Sequence, residues 1–259
     1  MSALTGTIIS STLIFVIFRL FEKFKIDTFQ AIVFNYFTAF ICGWVLYSNQ
    51  FTPKVFVNID WLPYALTISI LFISLFFVMG KSAQQNGVAI TSVAVKMSLA
   101  VSMIGMIIIY NEALTFLKIA GIVLALIGVL LVSWEPKGSR EQNNAWKMLI
   151  ILFIGSGILD LCLNYAQQHV LNELTPALFS AFGFLIAGFI GLLVLIGQFI
   201  FNSARIRVKN ILAGLILGIP NYFSIYLLLQ AYEVIDYTNS SIVATVSYTH
   251  LTLPTSYAV

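Results

Sequence analysis

Val88–Trp134 constrains this chain more than any other stretch. It reads VAITSVAVKMSLAVSMIGMIII, then YNEALTFLK, then IAGIVLALIGVLLVSW. Two apolar runs, each long enough to cross a bilayer, are joined by a tight polar hairpin. The first run carries Lys96 in mid-span. A lysine at that depth costs about 2.5–3.5 kcal/mol even on the lenient insertion scale. A chain that keeps it turns the charge toward a polar interior. The expected class is an all-α polytopic membrane protein with a solvated interior.

Composition agrees. The chain is 60% hydrophobic and 9% charged, against about 25% charged in soluble domains. Its net charge of +3 is small and spread over loops, so nucleic acid is not an expected partner. The lipid bilayer is. Cys42 and Cys162 both sit inside apolar runs and read as buried, reduced thiols, not as a disulfide framework. The N-terminus has neither the basic start nor the small-residue cleavage site of a signal peptide, so the run Leu4–Phe21 reads as a retained span.

Spans of about 20 mostly apolar residues are expected at Leu4–Phe21, Thr28–Tyr47, Trp61–Gly80, Val88–Tyr110, Phe116–Trp134, Trp146–Tyr165, Pro176–Phe201 and Ile211–Tyr232. A ninth begins near Ser240. The polar stretch Glu135–Ala145, with its Pro and Gly, reads as a linker between halves. The halves resemble each other faintly. SVAVKMS (Ser92–Ser98) in the fourth span matches SIVATVS (Ser241–Ser247) at the start of the ninth. Ala83 then falls near Ala231, and Thr28 near Thr175. Five spans per unit is an odd number, so a duplicated unit sits upside down relative to the first. Inverted repeats place a binding site between them at the midplane. The tail Val246–Thr255 (VSYTHLTLPT) breaks this pattern and resembles the translation of a sequencing-library adapter, so residues 246–259 read as non-native and His250 carries no function. The expected organisation is a first repeat over 1–134, a linker over 135–145 and an incomplete second repeat over 146–245.

These residues carry a family resemblance. GVAITSVAVKMSL, followed by YNEALTFLKIAGIVLALIGVLLVS with its Asn111-Glu112 hairpin and Gly121 and Gly128 in the next span, resembles the drug/metabolite transporters of the EamA-like kind. The resemblance runs from about Leu4 to Thr245. It implies ten helices in two inverted five-helix repeats, a central cavity, and secondary transport of small metabolites, often export, in the bacterial cytoplasmic membrane. The chain departs from that pattern by lacking most of the ninth helix and all of the tenth.

Small residues recur at helical spacing: Gly121, Ala125 and Gly128; Gly183, Ala187 and Gly191; Gly214 and Gly218. They read either as sliding surfaces or as static packing. Pro220, within Gly218-Ile219-Pro220-Asn221, is a candidate kink that would free carbonyls.

Lys96 leads the substrate-binding candidates, with Ser92 one turn before it and Thr91 and Ser98 nearby. It either meets a carboxylate or phosphate, pairs with an acid, or snorkels from a shallower depth. Asp160 is the expected partner. Asp160, Asn164 and Gln167 or Gln168 share one face of the sixth span, and a polar stripe on a membrane helix points inward. Asp160 is a possible site for a coupling proton, or simply neutralises Lys96. Asn35 in the second span, and Asn221, Tyr222 and Ser224 in the eighth, are secondary candidates that could instead bond a neighbouring helix. Arg19 reads as a snorkelling end residue, Glu112 as a hairpin residue, His169 as structural, and most Phe and Tyr as lipid-facing or interfacial.

Lys and Arg concentrate in the odd-numbered loops, which places those loops inside and the N-terminus outside. The family resemblance implies both termini inside, and the two indications conflict. No HExxH motif or paired intramembrane aspartates support an intramembrane enzyme, and no cofactor or metal motif is present. A scaffold would need no buried charge. The sequence therefore reads as a transporter of a small polar or amphipathic metabolite, such as an amino acid derivative, with a non-transporting scaffold or accessory protein, or a nonfunctional truncated fragment, as the alternative. Resequencing the source locus across the codon for Ser240 checks the tail. The frame is expected to continue through apolar residues into a further hairpin and span. A genomic reading of VSYTHLTLPTSYAV and stop would remove the ten-helix expectation.

Overall fold

The computed structural model describes residues 2–50, 59–111, 113–133, 145–170, 175–202 and 206–234, and the features below are those of these residues. The linker, Glu112, and the ninth span and tail lie outside them. The helices are α1 (Ser2–Lys23), α2 (Thr28–Tyr47), α3 (Leu62–Gln85), α4 (Val88–Met97), α5 (Leu99–Tyr110), α6 (Phe116–Ser133), α7 (Ala145–His169), α8 (Pro176–Asn202) and α9 (Val208–Val234). Six segments are long and apolar enough to cross a membrane: Thr28–Gln50, Leu62–Gln85, Val88–Tyr110, Trp146–His169, Ala177–Phe201 and Val208–Leu227. The protein is an all-helical integral membrane protein. Helices α1 and α6 occupy the first and fifth expected spans.

Helix is the required answer in hydrocarbon, where every backbone N–H and C=O must be satisfied within its own segment. The ends follow local chemistry. Asp27 caps α2, its carboxylate accepting the Gln30 N–H at 3.0 Å. Pro63 sits in the first turn of α3, where its missing N–H costs nothing. Gly87, at φ 85°, turns the chain from α3 into α4, and Asn111, at φ 50°, ends α5 in the left-handed region.

Helices α2 and α8 form the centre and run antiparallel. Gly191 of α8 meets Val33, and Gly43 of α2 meets Ala181. Helix α9 lies parallel to α2. Asn210 bonds Gln30 near the starts of both, and the Tyr47 and Tyr226 hydroxyls bond each other near the ends. Helix α1 lies antiparallel to α9, with Gly6 against Leu227 and the Lys209 ammonium on the Phe24 and Lys25 carbonyls. On the other side α3 runs parallel to α8, with Trp61 on Phe182 and Ile73 on Gly191. It runs antiparallel to α7, with Tyr64 on Tyr165 and Leu75 on Gly155. Helices α4 and α5 pack on α7, and α6 packs outside them.

Several expectations change. The fourth span is two helices, broken at Ser98. Pro220 lies inside α9, whose helix runs on through it, so the candidate kink is not a chain break. Many aromatic rings are core instead of interfacial: Phe18, Tyr36, Phe179, Phe184 and Tyr222 are fully buried. Arg19 bonds Glu22 and the Gln84 carbonyl instead of snorkelling alone.

The small-residue stripes differ in use. A Cβ on Gly218 would stand 2.6 Å from the Asn35 carbonyl oxygen, and one on Gly214 2.5 Å from the Ala31 carbonyl oxygen, so α9 meets α2 backbone to backbone. A Cβ on Gly121 would meet nothing within 4 Å. Gly218→Leu is accordingly expected to destabilise the detergent-solubilised protein by about 1–3 kcal/mol. Gly121→Leu should leave thermal unfolding unchanged. Equal melting of the two variants would show that the α2–α9 seam is loose.

Candidate functional site

Lys96 lies in the last turn of α4, where the helix C-terminus favours a cation. It is 8% exposed. Its ammonium donates to Ser11 Oγ of α1 at 3.2 Å. The carboxyl of Asp160, half-buried on α7, lies within electrostatic reach of that ammonium. Three helices thus converge on one buried cation. The expected partner Asp160 stands at electrostatic range from Lys96, and Ser11 is a neighbour that the sequence reading missed. No charge or pattern marks Ser11 in the sequence. Its hydroxyl also returns a bond to the Thr7 carbonyl at 2.6 Å, a common local arrangement for serine in an apolar helix.

The break at Ser98 adjoins this group. Ser98 Oγ donates to the Val95 carbonyl at 2.5 Å, and the Val101 N–H turns back to the Ser98 carbonyl at 2.9 Å. These are tighter closures than the i to i−4 ladder of a regular helix.

The other candidates separate. Ser92 is half-buried and spends its hydroxyl on the Ala89 carbonyl of its own helix at 2.8 Å, so it is not brought to Lys96 by any described bond. Thr91 is bonded to Ser82 of α3 at 2.8 Å. Asn164 is buried, and its Oδ1 accepts from Gln168 Nε2 at 3.0 Å, so the expected polar stripe on α7 exists.

Asn35, Asn221 and Tyr222 belong to the α2–α9 contact. Asn35 is fully buried, with Nδ2 donating weakly to the Ile32 carbonyl at 3.4 Å. Asn35 Oδ1, Asn221 Nδ2 and the hydroxyls of Tyr36 and Tyr222 have no hydrogen-bond partner among the described residues. A buried polar atom left in that state costs about 1–3 kcal/mol. The ring of Phe184 links the two tyrosines, with its centroid 5.9 Å from Tyr36 and 6.5 Å from Tyr222. Tyr36 was not among the expected residues, because a tyrosine in an apolar run gives no sign of where its hydroxyl ends. Ser224 bonds the Asn221 carbonyl of its own helix. His169 is exposed and stacked between Tyr165 and Tyr110, consistent with a structural role.

No group of three or more His, Cys, Asp or Glu among the described residues could hold a metal ion. The site's chemistry is that of one ammonium, one carboxyl, hydroxyls and neutral amides.

A protein of Haemophilus influenzae described as an uncharacterized protein is 26% identical over 240 residues, which cover 90% of this chain and 80% of that protein. No family model and no solved structure matches the chain.

The charge pair makes a prediction by double-mutant cycle. Asp160→Leu or Lys96→Leu alone leaves a charge in the bundle without its opposite and is expected to cost about 3–5 kcal/mol. The double variant should cost clearly less than the sum, measured by thermal unfolding in one detergent. Strict additivity would mean that the two groups do not interact.

Proposed function

We propose that this chain is an EamA-like member of the drug/metabolite transporter superfamily. In this reading it is a secondary transporter in the bacterial cytoplasmic membrane. It moves a small polar or amphipathic metabolite, such as an amino acid derivative, by alternating access. The observation that carries this reading is the buried Lys96, held at a helix break between Ser11 and Asp160. An ionisable group inside a membrane bundle is retained against a cost and by default marks a solute or ion path. Half-helix ends at mid-membrane serve the same purpose in transporters built from inverted repeats.

The packing pattern supports two inverted units. Exchanging α1 with α7, α2 with α8 and α3 with α9 preserves the neighbours and their directions. The pairs α2–α9 and α8–α3 are both parallel, and α1–α9 and α7–α3 are both antiparallel. The central contacts exchange too. Gly43 meets Ala181 and Tyr222, and Gly191 meets Val33 and Ile73. Val33 and Ala181 are separated by the same number of residues as Gly43 and Gly191. The antiparallel α2–α8 pair is what an exchange axis lying in the membrane plane requires. The unpartnered atoms of Asn35, Tyr36, Asn221 and Tyr222 fit a polar solute or its water on that path.

The test is counterflow in proteoliposomes, with a panel of radiolabelled amino acids and their acylated derivatives. At least one compound is expected to accumulate. Lys96→Leu and Asp160→Leu should each abolish accumulation while still inserting in the membrane. Undiminished counterflow in both variants would remove the site. A scaffold would move none of the panel.

A further inference from the structure

Lys96 and Asp160 lie within electrostatic reach of each other across the α4/α5–α7 contact, and one turn of helix from each of them that contact has an unusual form. Gly157 of α7 faces the Ser98 break. A Cβ there would stand 2.5 Å from the Ser98 carbonyl oxygen and 2.5 Å from Val101 Cβ. The carbonyl is backbone and is itself bonded by the Val101 and Ser102 N–H groups, so it cannot rotate away. Gly155, two residues earlier on the same helix and turned toward α3, is different. A Cβ there would meet only the side chain of Leu75, whose tip can move. Gly105 of α5 likewise meets only the side chain of Leu161. Gly157 is thus the α7 glycine that lets backbone touch the broken helix.

We propose that the Ser98 break, seated on the bare face of Gly157, is the positioning element that fixes the Lys96 ammonium against the Asp160 carboxyl. Residue 157 lies three before Asp160 and so shares its side of α7. Ser98 lies two after Lys96, and its Oγ bond to Val95 holds the shape of the turn on which Lys96 ends. A contact through backbone at this point leaves α7 and the Ser98 turn little room to shift against each other. Side-chain packing at Gly155 or Gly105 lets neighbours adjust. The transport reading gives this geometry its purpose, but the geometry can be tested without flux.

The experiment uses an apolar carbodiimide, dicyclohexylcarbodiimide, on the full chain in detergent. It adds to a membrane-embedded carboxyl to give an O-acylisourea, and an amine within contact then attacks it, forming the amide and releasing dicyclohexylurea, so that the protein loses the mass of one water. The Lys96–Asp160 amide is quantified by mass spectrometry of the digested protein. Wild type is expected to form it, and Lys96→Met to form none. Gly157→Ala should lower the yield by about tenfold, since proximity reactions fall steeply with ångström displacements. Gly155→Ala on the same helix should leave it unchanged. If Gly157→Ala fails to give a monodisperse peak, Ser98→Ala takes its place with the same expected fall. Absence of the amide in wild type, wild-type yield in Gly157→Ala or its substitute Ser98→Ala, or an equal fall in Gly155→Ala would each overturn the proposal. Loss of the amide in Gly157→Ala with no counterflow in wild type would uphold the positioning role and reject the transport reading.

Discussion

Lipid gives two apolar helices no hydrophobic reason to associate, so this bundle depends on how closely its backbones can approach. The decisive contacts are made by glycine. Gly214 and Gly218 bring α9 onto the carbonyls of α2, and Gly43 and Gly191 let α2 and α8 meet at the centre. Around them aromatic rings fill the remaining volume, with Tyr36, Phe72 and Tyr222 each in ring contact with Phe184. Dispersion between such close surfaces replaces the water-driven term of a soluble core.

One consequence is that the two halves of the chain are not separable bodies. Helix α9 comes from the second half, yet it packs on α1 and α2 along its length. It is tied to them by Asn210 on Gln30, by the Asp27 N–H on Asn210 Oδ1, and by Lys209 on the end of α1. Helix α3 comes from the first half and packs on α7 and α8. Any rocking motion would follow these mixed groups of helices, not the two sequence halves. The motion would then part α2 from α8, where the contact is antiparallel and aromatic.

The second dependence is electrostatic. A lysine inside the bundle is tolerated because a helix C-terminus, a serine hydroxyl and a carboxyl surround it. None of these alone offsets the loss of water around an ammonium. Together they place one cation and one acid where three helices meet, beside the turn at which the fourth span changes from α4 to α5. The neutral amides and phenols of Asn35, Asn221, Tyr36 and Tyr222 supply a second polar surface, on α2 and α9.

What the sequence by itself determined was the list of helices, because hydrocarbon admits no other backbone for runs of this length and apolarity. It also singled out Lys96 and Asp160, because a charge inside such a run is visible as an exception. The α7 stripe of Asn164 and Gln168 was legible by the same periodicity. Tertiary structure alone decided the rest. Ser11, Tyr36 and Gly157 are ordinary residues of apolar helices, and their roles come from which neighbour the packing places against them. Gly121 and Gly218 look alike in sequence, yet one faces open space and the other a backbone carbonyl. The helix runs on through Pro220, while Ser98, which carries no helix-breaking signal, separates α4 from α5. The physical reason is that helix formation in lipid is local, whereas helix association depends on surfaces that two distant segments must share.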